Sequence, residues 1–367
     1  MNKKPTIVVG MSGGVDSSVA AALLLEQGFN VIGVTMKTYS FDEVGGNIGN
    51  ETSCCGLDAF NDARMVAVKL GIPHYVVDFT EQFGKFVIDN FVDEYLQGRT
   101  PNPCIICNKK IKWGELIARA QSLGAEYIAT GHYARLSFDE KSGRYVVARP
   151  RDEKKDQTYA LWAVGQESLS KTIFPLGELT KPEVRVIAEK YGLKTADKEE
   201  SFEICFVADN DYRRFLKERN PKIETQLADG NIVQDGAVVG KHRGFPYYTI
   251  GQRSGIGAHK ERMYVTDINA QTNTVTIGRG GDLLRKELVA SNMNLVSRAS
   301  LENGMRVLAQ VRYKDTPASA TVFLEEDNRF RVVFDEPKRA ITPGQSVVMY
   351  DGDTLLGGGV IERALSC

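Results

Sequence analysis

The period of the apolar residues divides the chain. In the first half, short apolar runs alternate with longer stretches whose apolar positions recur every three or four residues. Thr6 to Val9, Asn30 to Met36, His74 to Asp78 and Tyr127 to Thr130 predict strands rich in β-branched residues. Val19 to Gln27, Asn61 to Leu70, Glu81 to Leu96 and Trp113 to Leu123 predict helices. This alternation predicts an α/β fold, a parallel sheet covered on both faces. Ligands of such sheets collect at the carboxyl ends of the strands, where Gly10, Met36 and Gly131 fall. After Cys205 the pattern changes to a short charged helix, Asp211 to Glu218, and then to Pro221, Gly230, Gly236, Gly240 and Gly244 at loop-like spacing. Farther on, Thr274 to Ile277, Arg306 to Val311, Ala320 to Phe323, Phe330 to Phe334 and Ser346 to Tyr350 predict the short strands of a small β-barrel. Three units follow: a catalytic domain over 1–208, a small central domain over 209–275 and a C-terminal barrel over 276–367.

Composition sharpens this picture in two places. The 367 residues carry 46 Lys and Arg against 47 Asp and Glu, so any nucleic-acid partner must be met by local basic patches rather than bulk charge. The stretch G-K-H-R-G-F-P-Y-Y-T-I-G-Q-R mixes Lys241, His242, Arg243 and Arg253 with Phe245, Tyr247 and Tyr248. That mixture suits RNA contact, or a β-hairpin with surface charge and core tyrosines. Six cysteines are too few and too unevenly placed for a disulfide scaffold, and the N-terminal apolar run is too short for a signal peptide or membrane span. A cytoplasmic protein with reduced thiols and no membrane partner is expected. Cys54 and Cys55, near the end of a Gly/Asn-rich stretch, read as incidental or at most as loop packing.

The candidate chemistry begins at G-M-S-G-G-V-D-S-S, Gly10 to Ser18, which joins the first strand to the first helix. Gly13 and Gly14 let the backbone approach a ligand, while Ser12, Ser17 and Ser18 place hydroxyls beside the open N–H groups of a helix start, an arrangement suited to an anion. The lysine of G-x-x-x-x-G-K-[ST] is missing, which disfavours a Walker-type nucleoside triphosphatase. Asp16 reads either as a metal or loop-ordering carboxylate or as an acid favoured by the helix dipole, and Met36 either as a contact for adenine or as a strand-end core residue. Cys104 and Cys107 form a C-x-x-C beside Lys109, Lys110 and Lys112, whose charge favours thiolate; no second pair completes a zinc site. Cys205 lies about a hundred residues downstream, and two distant cysteines that meet in a fold suggest sulfur transfer.

The loop S-G-G-V-D-S-S resembles the PP-loop of the ATP pyrophosphatases. Together with G-R-T-P-N-P-x-x-x-C-N-K, A-T-G-H-Y-A-R, D-Q-T-Y-A-L, I-C-F, Y-T-I-G-Q-R-x-G-I-G and T-P-G-Q, in this order from Gly10 to Gln345, it resembles the tRNA-specific 2-thiouridylases, the MnmA/TrmU family. The resemblance implies that ATP, with Mg²⁺, adenylates the C2 oxygen of the wobble uridine of tRNA. Sulfur from a cysteine persulfide then replaces the adenylate. The persulfide comes from a donor protein, a cysteine desulfurase or a sulfur-relay protein. On this likeness Gly10, Met11, Ser12, Gly13, Gly14, Val15, Asp16, Ser17, Met36 and Gly131 match ATP-binding positions. Cys107 matches the nucleophile and Cys205 the persulfide carrier. Asn102, Pro103 and Cys104 match the segment that meets the flipped base, and His132, Lys155, Asp156, Gln157, Arg312, Tyr313 and Gln345 match positions that touch tRNA. Some members carry an acid where Cys104 stands, which leaves the proton-handling residue open. Cys104, Cys107 and Cys205 could also hold a 4Fe-4S cluster. The pairing of Cys107 with Cys205 is preferred, because two cysteines suffice in members with the acid.

Overall fold

The computed structural model describes residues 4–39, 57–197, 204–207, 209–227 and 229–365. Strands β1 (Thr6–Gly10), β2 (Asn30–Lys37), β3 (His74–Asp78) and β4 (Tyr127–Ala129) run parallel. A hairpin, β5 (Arg135–Asp139) and β6 (Arg144–Ala148), leaves this sheet before β7 (Thr172–Ile173) completes it in the order β3-β2-β1-β4-β7. Because β1 is central, both of its faces are covered, and its run of apolar residues is unbroken. Ile7 and Val9 pack with Val19, Leu24, Ala63 and Val66 of helices α1 (Val15–Glu26) and α2 (Leu57–Leu70). Val8 points the other way, against Leu116 and Ile128. The sequence expectation of an α/β sheet is met, and Cys54 and Cys55 lie outside the described residues.

Helical bounds differ from the expectation in several places, and two of them have a clear physical reason. Helix α1 starts at Val15, ahead of the first apolar-periodic residue, because the Ser17 and Ser18 hydroxyls donate back to the Gly14 carbonyl at 3.2 and 2.8 Å and tie down the first turn. The predicted helix from Trp113 is the tail of a longer one. It is α over Pro103–Ile106, opens to π over Cys107–Glu115 and returns to α over Leu116–Ser122. A π segment shifts the hydrogen bond from the fourth to the fifth residue, so its apolar positions do not repeat with the α period.

The middle of the chain forms a separate four-stranded sheet, β8 (Gly230–Gln234), β9 (Ala237–His242), β10 (Tyr264–Asn269) and β11 (Thr274–Gly278), in the order β10-β11-β8-β9. Thr274 to Ile277, read from the sequence as the first barrel strand, therefore belongs here: Asn273, at φ 49°, turns the chain so that β11 pairs back on β10. The barrel consists of β12 (Leu284–Leu295), β13 (Met305–Gln310), β14 (Ala318–Leu324), β15 (Phe330–Arg339), β16 (Ser346–Asp351) and β17 (Thr354–Leu365). It closes because β12 pairs with both β15 and β17. Strand β17 escapes sequence reading because Gly357, Gly358 and Gly359 look like a loop. A Cβ on Gly358 would lie 2.7 Å from the Val347 carbonyl oxygen and 2.9 Å from the Trp162 ring, so only glycine lets the strand pass.

A further apolar cluster joins the first two units. Phe83, Phe91, Phe206 and Phe215 are all buried in it together with Phe245, Tyr247 and Tyr248 of the middle unit. Phe206 is the hub, with ring centroids 5.7, 5.2 and 5.3 Å from Phe83, Phe91 and Phe215.

Candidate active site

The loop after β1 is held from behind and left open in front. Met11 gives its N–H to Val34 O at 2.8 Å, accepts the Thr35 hydroxyl at 2.9 Å on its carbonyl and buries its side chain in the core. It anchors the loop. Gly13 has φ 70°, and a Cβ there would run into the Ala59 backbone. Gly14 caps α1 with no side-chain hydrogen bond, so the N–H groups of the first turn, Val15 and Asp16 among them, face forward without a helical acceptor. A Cβ on Gly131 would lie 2.7 Å from the Ser17 nitrogen, so the A-T-G-H-Y turn can close on the helix start only as glycine. Ser12 is exposed at the mouth of this cradle, and its N–H donates to Ser17 Oγ at 3.1 Å. Met36, at the end of β2, is half-buried between two apolar clusters.

Asp16 is used inside the protein. Lys181 Nζ lies 2.7 and 2.9 Å from its two oxygens, and the Tyr133 hydroxyl donates to it at 2.7 Å. Asp16 stands in the first turn of α1 and is tied to Lys181 and Tyr133, so both a helix-start acid and a loop-ordering carboxylate describe its place. Lys181 is buried and begins the helix Lys181–Lys190, where the Thr180 N–H donates to the Glu183 carboxylate at 2.7 Å. The sequence reading missed Lys181. The capping signal T-K-P-E marks a helix start, but nothing in it points to a partner 165 residues away.

The second part of the site carries the thiols. Asn102 caps the helix at Pro103, accepting the Ile105 N–H at a long 3.4 Å. Pro103 is buried, Cys104 is exposed, and Cys107, where the π segment opens, is half-buried. Cys107 and Cys205 pack on the same apolar cluster, so the fold brings these distant cysteines to one region. Cys205 is fixed there by its neighbours: the Tyr39 hydroxyl donates to its carbonyl at 2.8 Å, and Phe206 is wedged among the phenylalanines. Lys109 and Lys110 are exposed next to Cys107, and Lys110 Nζ lies 5.4 Å from the Phe86 ring centroid. Among the described residues no three Cys, His, Asp or Glu side chains are grouped to hold a metal ion.

The positions matched to tRNA contact are divided. Arg312 and Tyr313 are exposed on the barrel, with Tyr313 43% accessible. His132 is buried instead, between Trp113 and Phe174, with Nδ1 2.7 Å from the Thr130 hydroxyl. Burial and the neighbouring Lys112 ammonium hold it well below the ordinary imidazole value, so it is neutral. Asp156 pairs with Arg149 at 2.7 Å and accepts the Thr158 N–H and hydroxyl, and Gln157 Oε1 accepts the Tyr133 N–H at 2.8 Å. These two side chains brace the turn from within. Lys155 is half-buried beside them, and Gln345 reaches Thr100 and Pro101. No helix of the described residues is long and apolar enough to cross a membrane.

Comparison with known proteins agrees with this geometry. Residues 5–209 match the family described as tRNA methyl transferase HUP domain, 213–279 the tRNA methyl transferase PRC-barrel domain and 285–361 the aminomethyltransferase beta-barrel domain. Among solved structures, a 4-thiouridine synthetase–RNA complex with bound ATP covers 59% of this chain and 51% of its own at 19% identity and a TM-score of 0.36, too slight a likeness to argue from. The curated relatives are far nearer. The tRNA-specific 2-thiouridylase MnmA of Salinibacter ruber is 50% identical over 99% of this chain and 96% of its own. Those of Clostridioides difficile and Carboxydothermus hydrogenoformans are 49% and 52% identical, over 100% and 98% of this chain and 99% and 98% of theirs. A glycine turn opening onto a helix start, two cysteines gathered on one cluster and, decisively, this identity from end to end place the chain in the tRNA-specific 2-thiouridylase MnmA family.

Proposed function

We propose that the protein is a tRNA-uridine 2-sulfurtransferase that uses ATP to convert the C2 carbonyl of the wobble uridine to a thiocarbonyl. The observation that carries the reading is the pairing of an open anion cradle, Ser12 to Ser17, with Cys107 and Cys205 on one apolar cluster. The C2 oxygen of a uridine is a poor leaving group. Its attack on the α-phosphorus of ATP expels pyrophosphate and makes it a good one. The forward-facing N–H groups of α1 stabilise the charge that gathers on the pyrophosphate. Gly131 packs on the first turn of α1, and Lys181 with Tyr133 holds Asp16, so the cradle is rigid before ATP arrives. With Asp16 so engaged, Mg²⁺ fits best as the chelate of ATP, its ligands mainly phosphate oxygens and water.

Sulfur enters as a persulfide on Cys205, delivered by a donor protein. Its terminal sulfur adds to C2. Cys107 thiolate attacks the inner sulfur, the sulfur–sulfur bond breaks toward the nucleobase, and AMP leaves as the thiocarbonyl forms. The products are 2-thiouridine, AMP and a Cys107–Cys205 disulfide that an external thiol must reduce before the next turnover. Reaching C2 requires the base to leave its stack, which an anticodon loop makes easier than a duplex. Asn102 to Cys107 line the region that receives it. The units divide the work: 1–208 carries the chemistry, the middle unit, extended to Gly278 to keep β11 whole, bridges, and the barrel docks tRNA through Arg312 and Tyr313.

Mass spectrometry of tRNA after incubation with ATP and a persulfide donor tests the reading. One sulfur for oxygen exchange at the wobble uridine, dependent on ATP, is expected. Pyrophosphate released with a small amino acid in place of tRNA would assign the protein to another adenylating chemistry.

A further inference from the structure

The segment that leads into the thiols is held by the barrel more than by its own helix. Its helix cap at Asn102 is long, at 3.4 Å. One step upstream, the contacts from the turn between β15 and β16 are short: the Thr100 N–H donates to Pro343 O at 2.8 Å, and Gln345 Nε2 donates to Thr100 O at 3.1 Å and Pro101 O at 2.8 Å. Gly344, at φ 89°, lets the turn approach so closely that a Cβ would lie 2.7 Å from Thr100 O and 2.8 Å from Glu94 Oε2. Glu94 in turn pairs with Arg99 at 2.8 Å. The turn itself is locked into the barrel, since the Gln345 N–H donates to Thr342 O and its carbonyl accepts the Ile361 N–H at 2.8 Å.

We propose that Gln345 is a positioning residue, which fixes the register of Thr100 to Cys107 from the barrel and so sets where the base pocket and the Cys107 sulfur stand. Its side-chain amide has two hydrogens, and two carbonyl oxygens take them, which fixes its orientation and leaves Oε1 as the one remaining group. A contact with tRNA through the amide hydrogens would have to break this clamp. Any displacement of this barrel turn would therefore reach the thiol segment through four residues, Thr100 to Pro103. This inference rests on the thiolation reading for its kinetic arm and on thiol chemistry alone for its second arm.

The test compares Gln345→Leu and Gln345→Glu with the unaltered full chain. Gln345→Leu should lower kcat for thiolation about ten- to a hundred-fold while KM for tRNA and ATP stays within about two-fold, the signature of lost positioning rather than lost binding. Gln345→Glu keeps the shape but donates only when protonated, so its kcat relative to the unaltered protein should rise as pH falls toward the carboxylic acid range. In tRNA-free protein, the rates at which iodoacetamide alkylates Cys104 and Cys107 should change several-fold in Gln345→Leu, with Cys205 as internal control. A raised KM for tRNA with unchanged kcat would make Gln345 a tRNA contact and overturn the clamp. Unchanged alkylation of Cys104 and Cys107 would overturn it whatever thiolation does, and absence of thiolation in the unaltered protein would count against the functional reading instead. Should Gln345→Leu fail to fold, the pH dependence of Gln345→Glu decides.

Discussion

The phosphate cradle and the thiol segment are built on opposite plans. The frame of the cradle is one continuous strand–turn–helix in which Gly13 turns, Gly14 caps and Ser17 ties back to Ser12, and the distant Gly131, Tyr133 and Lys181 only brace it from behind. The thiol region is assembled from distant parts. Cys107 lies where a helix changes winding, Cys205 is held by Tyr39 and Phe206, and the approach to Cys104 is clamped from a barrel turn more than two hundred residues away. A site that binds a constant anion can be rigid and local. On the proposed function the thiol region admits a flipped base and a persulfide, and such a site is better carried on a segment that several units position together.

Mutations can separate the two. The largest effect is expected at Cys107→Ser, which should reduce thiolation by about a thousand-fold or more while tRNA-dependent pyrophosphate release continues. Cys205→Ser should instead lose persulfide loading, as read by mass spectrometry of the protein. If pyrophosphate release fell with Cys107→Ser, the two regions would not be separable. Gly14→Val comes next. A Cβ there meets only Ser12 Oγ, at 3.5 Å, so the fold should survive while pyrophosphate release falls about a hundred-fold. Loss of the melting transition would show that the cradle is structural as well.

Lys181→Met sharpens the comparison from the cradle side. It leaves Asp16 with Tyr133 but without its cation, and because Asp16 is 30% exposed the stability loss should be about 2 kcal/mol, below the usual range for a fully buried pair. Pyrophosphate release should drop about ten-fold, with thiol alkylation unchanged. The smallest effect concerns pH. The folded protein holds His132 neutral well below 6.5, so the unfolded chain takes up the proton first and stability falls as pH drops below about 6.5. His132→Gln should flatten that acid limb in urea titrations at several pH values. An unaltered slope would assign the acid sensitivity to other groups, His74 and His242 first, both also held low by burial.

Features that depend on near neighbours are legible along the chain. The α/β sheet follows from apolar runs separated by helical patterns, and the cradle from Gly10 to Ser18, because turn, cap and helix start are all short-range requirements. Strand β3 was legible to the residue, His74–Asp78. Other features emerge only from long-range packing. The π segment at Cys107 obeys no α period, β17 hides its strand behind three glycines needed for close passage, and β11 joins the middle sheet through its hairpin. Lys181 on Asp16, His132 between Trp113 and Phe174, and Gln345 on Thr100 and Pro101 are pairings between residues well apart along the chain, the first across 165 residues and the last two across 245 and 244. Single-chain patterns record which face a residue prefers, whereas its partner across the fold is fixed only when separate units pack and their buried polar groups must all find mates.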